Sequence, residues 1–272
     1  MVIYCSIYLY INKVKKCKKC HFCHFEKQIM EPNNIQKSFD ETLADCNLLN
    51  LGIDISEIAI DSILQDGLLK ELPIVGTIIN LSKLSANIQD KLFLKKILTF
   101  LNGLRDISPE KRKEMIEKID KSKEFRIRVG EKLLYIVDSC DDHEISELIG
   151  ILFRSYIEEK INYDDFLKAS SVLNKLSISD FKWFTKDRKY HNFDLSDIGD
   201  LISSGLFELY YEQLDVRVIE EDDYKKLREN PNADKYKTEV EGGGISVLLS
   251  RAGEIILEVF CKSYKKPKTM KI

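Results

Sequence analysis

The sequence predicts a mainly α-helical protein, a helical bundle followed by a small α+β C-terminal subdomain. Three observations carry that expectation. From about Ser38 to Lys186 apolar residues recur at steps of three and four, the period of helices with one buried face. Near residue 190 the texture changes to short strand-like runs, a polar connection and a final amphipathic stretch. Between them, the uncharged run Leu72–Ser82 (LPIVGTIINLS) is so apolar that it must be buried against something.

The helices are read in order. Ser38-x-x-Glu41 has capping-box spacing, in which a hydroxyl and a carboxylate each satisfy a free backbone N–H, and it marks a helix start. The segment 67–104 reads as an apolar hairpin. Gly67, Pro73 and Gly103 are its breaks, and Gly76 beside Pro73 suits a tight turn. In its second arm Phe93, Leu94, Ile97, Leu98, Leu101 and Leu104 form one face, leaving Lys91, Lys95 and Lys96 for water. Ser108-Pro109-Glu110 sets a cap, a proline at the first helical position and an acid at the positive end of the helix dipole. After Asp142, residues Ile145, Leu148, Ile149, Leu152, Phe153, Tyr156 and Ile157 give the clearest apolar face.

Beyond residue 190, Asp194–Asp197 starts a short helix, and Gly205 sits where a left-handed C-cap belongs. Leu206–Tyr211 and Ile245–Leu249 are strand-like, separated by a polar segment that ends in Gly242-Gly243-Gly244. Ala252, Ile255, Ile256, Val259 and Phe260 make a last amphipathic helix. Helix, strand, long connection, strand, helix is the order of a winged-helix unit. The expected organisation is therefore a basic Cys-rich extension (1–29), a bundle (30–188), a winged-helix-like subdomain (189–262) and a basic tail (263–272).

Charge and cysteine usage narrow the function classes. The chain of 272 residues has net charge −3, but residues 1–29 carry six Lys and one Glu, which leaves the remainder at −8. An acidic body argues against a broad nucleic-acid surface. Cys5, Cys46, Cys140 and Cys261 are scattered and the total of seven cysteines is odd, which fits a reducing compartment. Cys17, Cys20 and Cys23, with His21 and His24 between them, lack the distant second ligand pair of a structural zinc site, so no metal is expected. Val2–Ile11 precedes its basic residues, the reverse of a secretory leader, and a helical pattern begins soon after Met30, which is an alternative start.

No catalytic constellation emerges. Asp138-Ser-Cys140-Asp-Asp-His143-Glu144 could pair a thiol with an imidazole, yet it lies between two helices, where Asp and Ser serve as caps. Gly242–Gly244 precedes a strand and cannot open a phosphate-binding helix. Trp183, with Phe181, Phe184 and Tyr190, reads as packing. The expectation is no enzyme and no cofactor.

That leaves contacts. Candidate interaction residues are Pro73, Ile74, Val75, Gly76, Ile78, Ile79, Phe93, Leu94, Ile97 and Leu98. Leu72–Ser82 is far shorter than the roughly 20 residues of a spanning helix. From 51 to 104 six acids oppose five bases, unlike the basic excess of interfacial helices. The segment is thus core in the resting state, or a hairpin that leaves the core on a trigger.

Two resemblances add to this. Ile202-Ser-Ser-Gly-Leu-Phe207 with Ile245-Ser-Val-Leu-Leu-Ser-Arg-Ala-Gly-Glu254 resembles the end of many winged-helix proteins. Leu72–Leu101 followed by Ile149–Phe166 is similar to uncharacterised helical bacterial proteins of the abortive-infection, phage-defence kind. The second resemblance implies a non-enzymatic, cytoplasmic defence protein. It would act through a partner protein or self-oligomer, or at the inner-membrane periphery when triggered. The alternative is a winged-helix DNA-binding regulator. Against it, Leu195–Ser204, which would enter the groove, holds Asp197 and Asp200 and no Lys or Arg.

Overall fold

The structure is a computed structural model. It describes residues 32–51, 69–82, 88–122, 127–186, 193, 195–220 and 236–264. The readings of 1–29, of 265–272 and of the bend between the two arms of 67–104 lie outside the described residues. The chain is mainly helical and forms two compact units, ending at and beginning after Lys160.

In the first unit, α1 spans Pro32–Asp45, α2 Pro73–Ser82, α3 Ile88–Asn102, α4 Pro109–Asp120, α5 Val129–Asp138 and α6 His143–Ile157. Short 3₁₀ turns occupy Leu49–Leu51 and Leu69–Glu71. Two expectations are corrected here. Ser38 lies inside α1 and caps nothing; its hydroxyl donates to the Asn34 carbonyl at 2.8 Å. The helix starts earlier because Pro32 stands at its first position, where a missing N–H costs nothing. Gly76 also sits within α2 and makes no turn, because Pro73 opens that helix three residues before it.

Local sequence explains the other starts. Ser108 accepts from the Lys111 N–H at 3.4 Å, with Pro109 next, as the pattern predicts. Asp142 accepts from the Ile145 N–H at 2.9 Å and so caps α6. The start of α2 is capped from another helix: the Thr42 hydroxyl of α1 accepts from the Ile74 N–H at 3.1 Å. The centre of the unit is the α3–α6 crossing. There the Ser146 hydroxyl donates to the Lys96 carbonyl at 2.7 Å. Phe39, Phe100, Phe153 and Tyr156 run through this core as a chain of rings with centroids 5.8–6.2 Å apart.

In the second unit, α7 spans Tyr163–Leu173, α8 Ile178–Phe184, α9 Leu195–Ile198 with a 3₁₀ extension Gly199–Ser204, and α10 Arg251–Phe260. The bundle expected over 30–188 thus divides, with α7 and α8 joining the C-terminal elements. A side-chain pair shows why: Arg251 of α10 binds Asp165 of α7, Nη2 to Oδ2, at 2.8 Å. Phe184, Phe193 and Phe207 pack together with centroids 5.0–5.7 Å apart, and Trp183 lies 5.6 Å from Phe193.

The strands are β1 Phe207–Tyr211, β2 Asp215–Glu220, β3 Tyr236–Glu241 and β4 Ile245–Leu249. β1 pairs antiparallel with β4 (Phe207 opposite Leu249, Tyr211 opposite Ile245), and β2 with β3 (Asp215 opposite Glu241, Glu220 opposite Tyr236). The register passes from one ladder to the next without a slip, and the Glu212 N–H donates to the Gly244 carbonyl at 2.9 Å between them. The two small sheets are therefore one long ribbon with a pause in its ladder. At the pause Gly242 and Gly243 have φ +84° and +76°, and a Cβ on Gly242 would stand 2.1 Å from the Gln213 carbonyl oxygen. Only glycine fits both demands. Ser250 joins this ribbon to α10: its hydroxyl caps the helix at the Gly253 N–H (3.0 Å) and donates to the Gly205 carbonyl (2.6 Å).

Candidate functional site

The ten candidate interaction residues lie on α2 and α3. Ile74, Val75, Ile78, Leu94, Ile97 and Leu98 are buried, while Pro73, Gly76, Ile79 and Phe93 are half-buried. α2 packs on α1, and α3 on α6. Among the described residues no helix is long and apolar enough to cross a membrane. The most apolar run of the chain is thus spent on the interior of the first unit.

The Asp138–Glu144 cluster is occupied by structural work. Cys140 is buried, its Sγ donates to the Ile136 carbonyl at 3.4 Å, and burial pushes the thiol up to about 12 despite nearby Lys96. A thiol held protonated is a poor nucleophile. Burial holds His143 below the usual imidazole range, with Lys95 adding to the effect. Asp142 is engaged as the α6 cap, and the Lys96 ammonium donates to the carbonyls of Asp138 and Cys140, closing the end of α5. No group of His, Cys, Asp and Glu among the described residues could hold a metal ion.

One open groove of about 410 Å³ runs between α1 and α4. Asp40, Asp45, Glu117 and Asp120 line it with Lys113 and Arg128. Lys113 reaches Asp45 at 3.0 Å, and the Asp120 carboxylate accepts from the Val129 N–H at 2.8 Å. Burial raises Asp40 to about 6, an effect that Arg128 partly offsets. Asp45, Glu117 and Asp120 pair with Lys113, Lys121 and Arg128 within the unit.

The ribbon is different. Eight of the fourteen large apolar residues exposed among those described lie on it: Tyr210, Tyr211, Leu214, Val216, Val218, Val240, Ile245 and Leu248. Their exposures run from 47% to 66%. In the inner ladder, Phe207, Leu209 and Tyr211 share a face with Leu249, Val247 and Ile245, and Phe207 at its base is buried. In the outer ladder, Val216 stands opposite Val240, and Val218 opposite Thr238. Asp215 opposite Glu241 and Arg217 opposite Glu239 occupy the other face.

Sequence reasoning finds the inner strands and misses the outer pair. The available signal was the alternation in Asp215-Val-Arg-Val218 and in Thr238-Glu-Val240, hidden by the charged, Asn- and Pro-containing stretch between them. Compared with known proteins, the chain matches no family model, no curated protein and no solved structure.

Proposed function

We propose that the protein is a non-catalytic binding module that works through protein–protein contact, with the ribbon 207–249 as its contact element. The observation that carries this reading is the set of bare apolar side chains on a two-stranded ribbon. An isolated two-stranded ribbon is marginal in water and needs a packed face for independent stability. The Val216–Val240 pair is more than half exposed on both strands. A surface of this kind is made to be covered.

The order α9, β1, ribbon, β4, α10 supports a winged-helix-like unit whose wing is enlarged. Its charge favours a protein partner over DNA. The two arms of the ribbon, 207–220 and 236–249, hold six acids and two bases, and 195–204 has two acids and no base. Phosphate contacts supply most non-specific DNA affinity, and this surface would repel them. The buried thiol of Cys140 and the capping role of Asp142 support a function without catalysis. Bacterial phage defence is the setting that the sequence resemblance suggests for it.

Photo-crosslinking tests the reading. A benzoylphenylalanine placed at Val216 of the full chain, irradiated in cells, should give a protein adduct. One placed at Tyr135, exposed on α5, should give none. No adduct from Val216, or an adduct with nucleic acid, would overturn the proposal.

A further inference from the structure

We infer that the open edge of β3 pairs antiparallel with the same edge of a second copy of this chain, about a two-fold axis through Thr238. The inference rests on the ribbon being a contact element, and it names the partner and the register.

Each small sheet among the described residues has two strands, so β2 and β3 each have a strand neighbour on one edge and none on the other. Such an edge carries unpaired N–H and C=O groups and is a template for a further strand. Charged residues usually blunt it against strands at large. On β3 the charges have an order. Lys237 precedes Thr238, and Glu239 and Glu241 follow it. At the two-residue period of a strand, Lys237, Glu239 and Glu241 share one face, and Thr238 and Val240 the other.

That order selects the occupant. Two copies of one strand paired antiparallel about a two-fold axis are centred on a single residue, because opposite residues share a face. Centring on Lys237 sets Lys against Lys, and centring on Glu239 sets Glu against Glu. Centring on Val240 sets Glu239 against Glu241 twice. Centring on Thr238 sets Lys237 against Glu239 twice, Tyr236 against Val240 twice, and Thr238 against itself. Opposite charges, an aromatic against a β-branched residue, and Thr against Thr are the favourable cross-strand pairs. The edge of β2 offers less. Arg217 is already bound to Asp215 of its own strand at 2.6 Å, and pairing about Val216 extends to Glu212 against Glu220 of the other copy. The product is a four-stranded sheet, β2 and β3 of one copy followed by β3 and β2 of the other. It lays Val216, Val218 and Val240 of both copies on one side. A two-stranded ribbon thereby gains the further strands that independent stability needs.

Sedimentation velocity on the purified full chain, from about 1 to about 100 µM, tests this in the range where a moderate dimer dissociates. The wild-type chain should be dimeric at the upper concentrations. Glu239→Lys and Lys237→Glu should each raise the dimer Kd by about 10-fold or more, because each sets like charges opposite one another twice. Mixed one to one, the two variants should form a heterodimer about as tight as the wild-type dimer, since every charge again meets its opposite. A wild-type chain monomeric throughout would overturn the inference. So would a dimer that neither substitution weakens, or one that mixing does not restore. If the variants fail to fold, backbone amide exchange on the wild-type chain decides. Protection over 236–241 that rises with protein concentration supports the pairing, and protection independent of concentration overturns it. The two levels separate cleanly. A monomeric chain whose Val216 adduct contains another protein removes the second copy and keeps the contact element. A monomeric chain with no adduct removes both.

Discussion

Gly150 of α6 lies against the backbone of Phe100 in α3, so closely that a Cβ on the glycine would stand 2.3 Å from the Phe100 carbonyl oxygen. Gly103, just beyond the end of α3, returns the contact, its own Cβ position lying 2.8 Å from the Gly150 carbonyl carbon. The two helices meet backbone to backbone, and that approach lets Ser146 reach the Lys96 carbonyl.

The first prediction follows from the sign of two opposing effects. In an exposed helix interior Gly→Ala stabilises by about 1 kcal/mol through propensity. At Gly150 the added methyl meets main chain, which cannot rotate away, so the helices must separate. Overpacking of this kind costs about 1–3 kcal/mol. Gly150→Ala should therefore lower the midpoint of chemical unfolding. An unchanged or raised midpoint would show that the crossing is looser than this geometry.

How much of this was legible in the sequence depends on the range of the interaction. The start of α4 at Ser108-Pro109 and the buried face of α6 are local patterns, and both are readable. The left-handed turn at Gly205 (φ +92°) is readable for the same reason. Ser38 misleads because a short cap-like motif recurs inside a helix that Pro32 has already opened. The pairing of Asp215 with Glu241 joins residues far apart in the chain, and neither short, charged strand announces itself alone. The Gly103–Gly150 contact depends on which faces cross, which periodicity does not supply. The ribbon was therefore missed, while the conspicuous apolar run turned out to line the interior.

The second prediction concerns that run. Ile78 and Leu98 are 6% and 0% exposed. Burying an unpaired charge costs several kcal/mol, a large part of the stability of most domains. Ile78→Asp and Leu98→Asp should each unfold the first unit, seen as loss of the cooperative thermal transition. A folded Ile78→Asp protein would revive the deployable hairpin. Loss of liposome leakage in the same folded variant would place its function at a membrane.

The third prediction uses the groove between α1 and α4. Asp40 packs its carboxylate over Gly130 at the start of α5, where a Cβ would overlap Oδ1. Burial is the largest cause of its raised pKa, Asp120, Glu131 and Glu41 add to it, and Arg128 opposes them. A carboxyl raised from 3.8 to about 6 holds its proton more tightly in the folded chain than in the unfolded one. Between those values the folded state binds the extra proton, so this group's contribution to stability grows as pH falls and is lost as pH rises through about 6. At neutral pH an ionised Asp40 opposes folding. Asp40→Asn should accordingly melt above the wild type at pH 7, and the difference should shrink steadily toward pH 4. The half-exposed position of Asp40 keeps the effect modest. A difference that is flat across this range, or that widens toward acid, would mean that Asp40 titrates as an ordinary surface carboxylate and that its neighbours in the groove do not act on it.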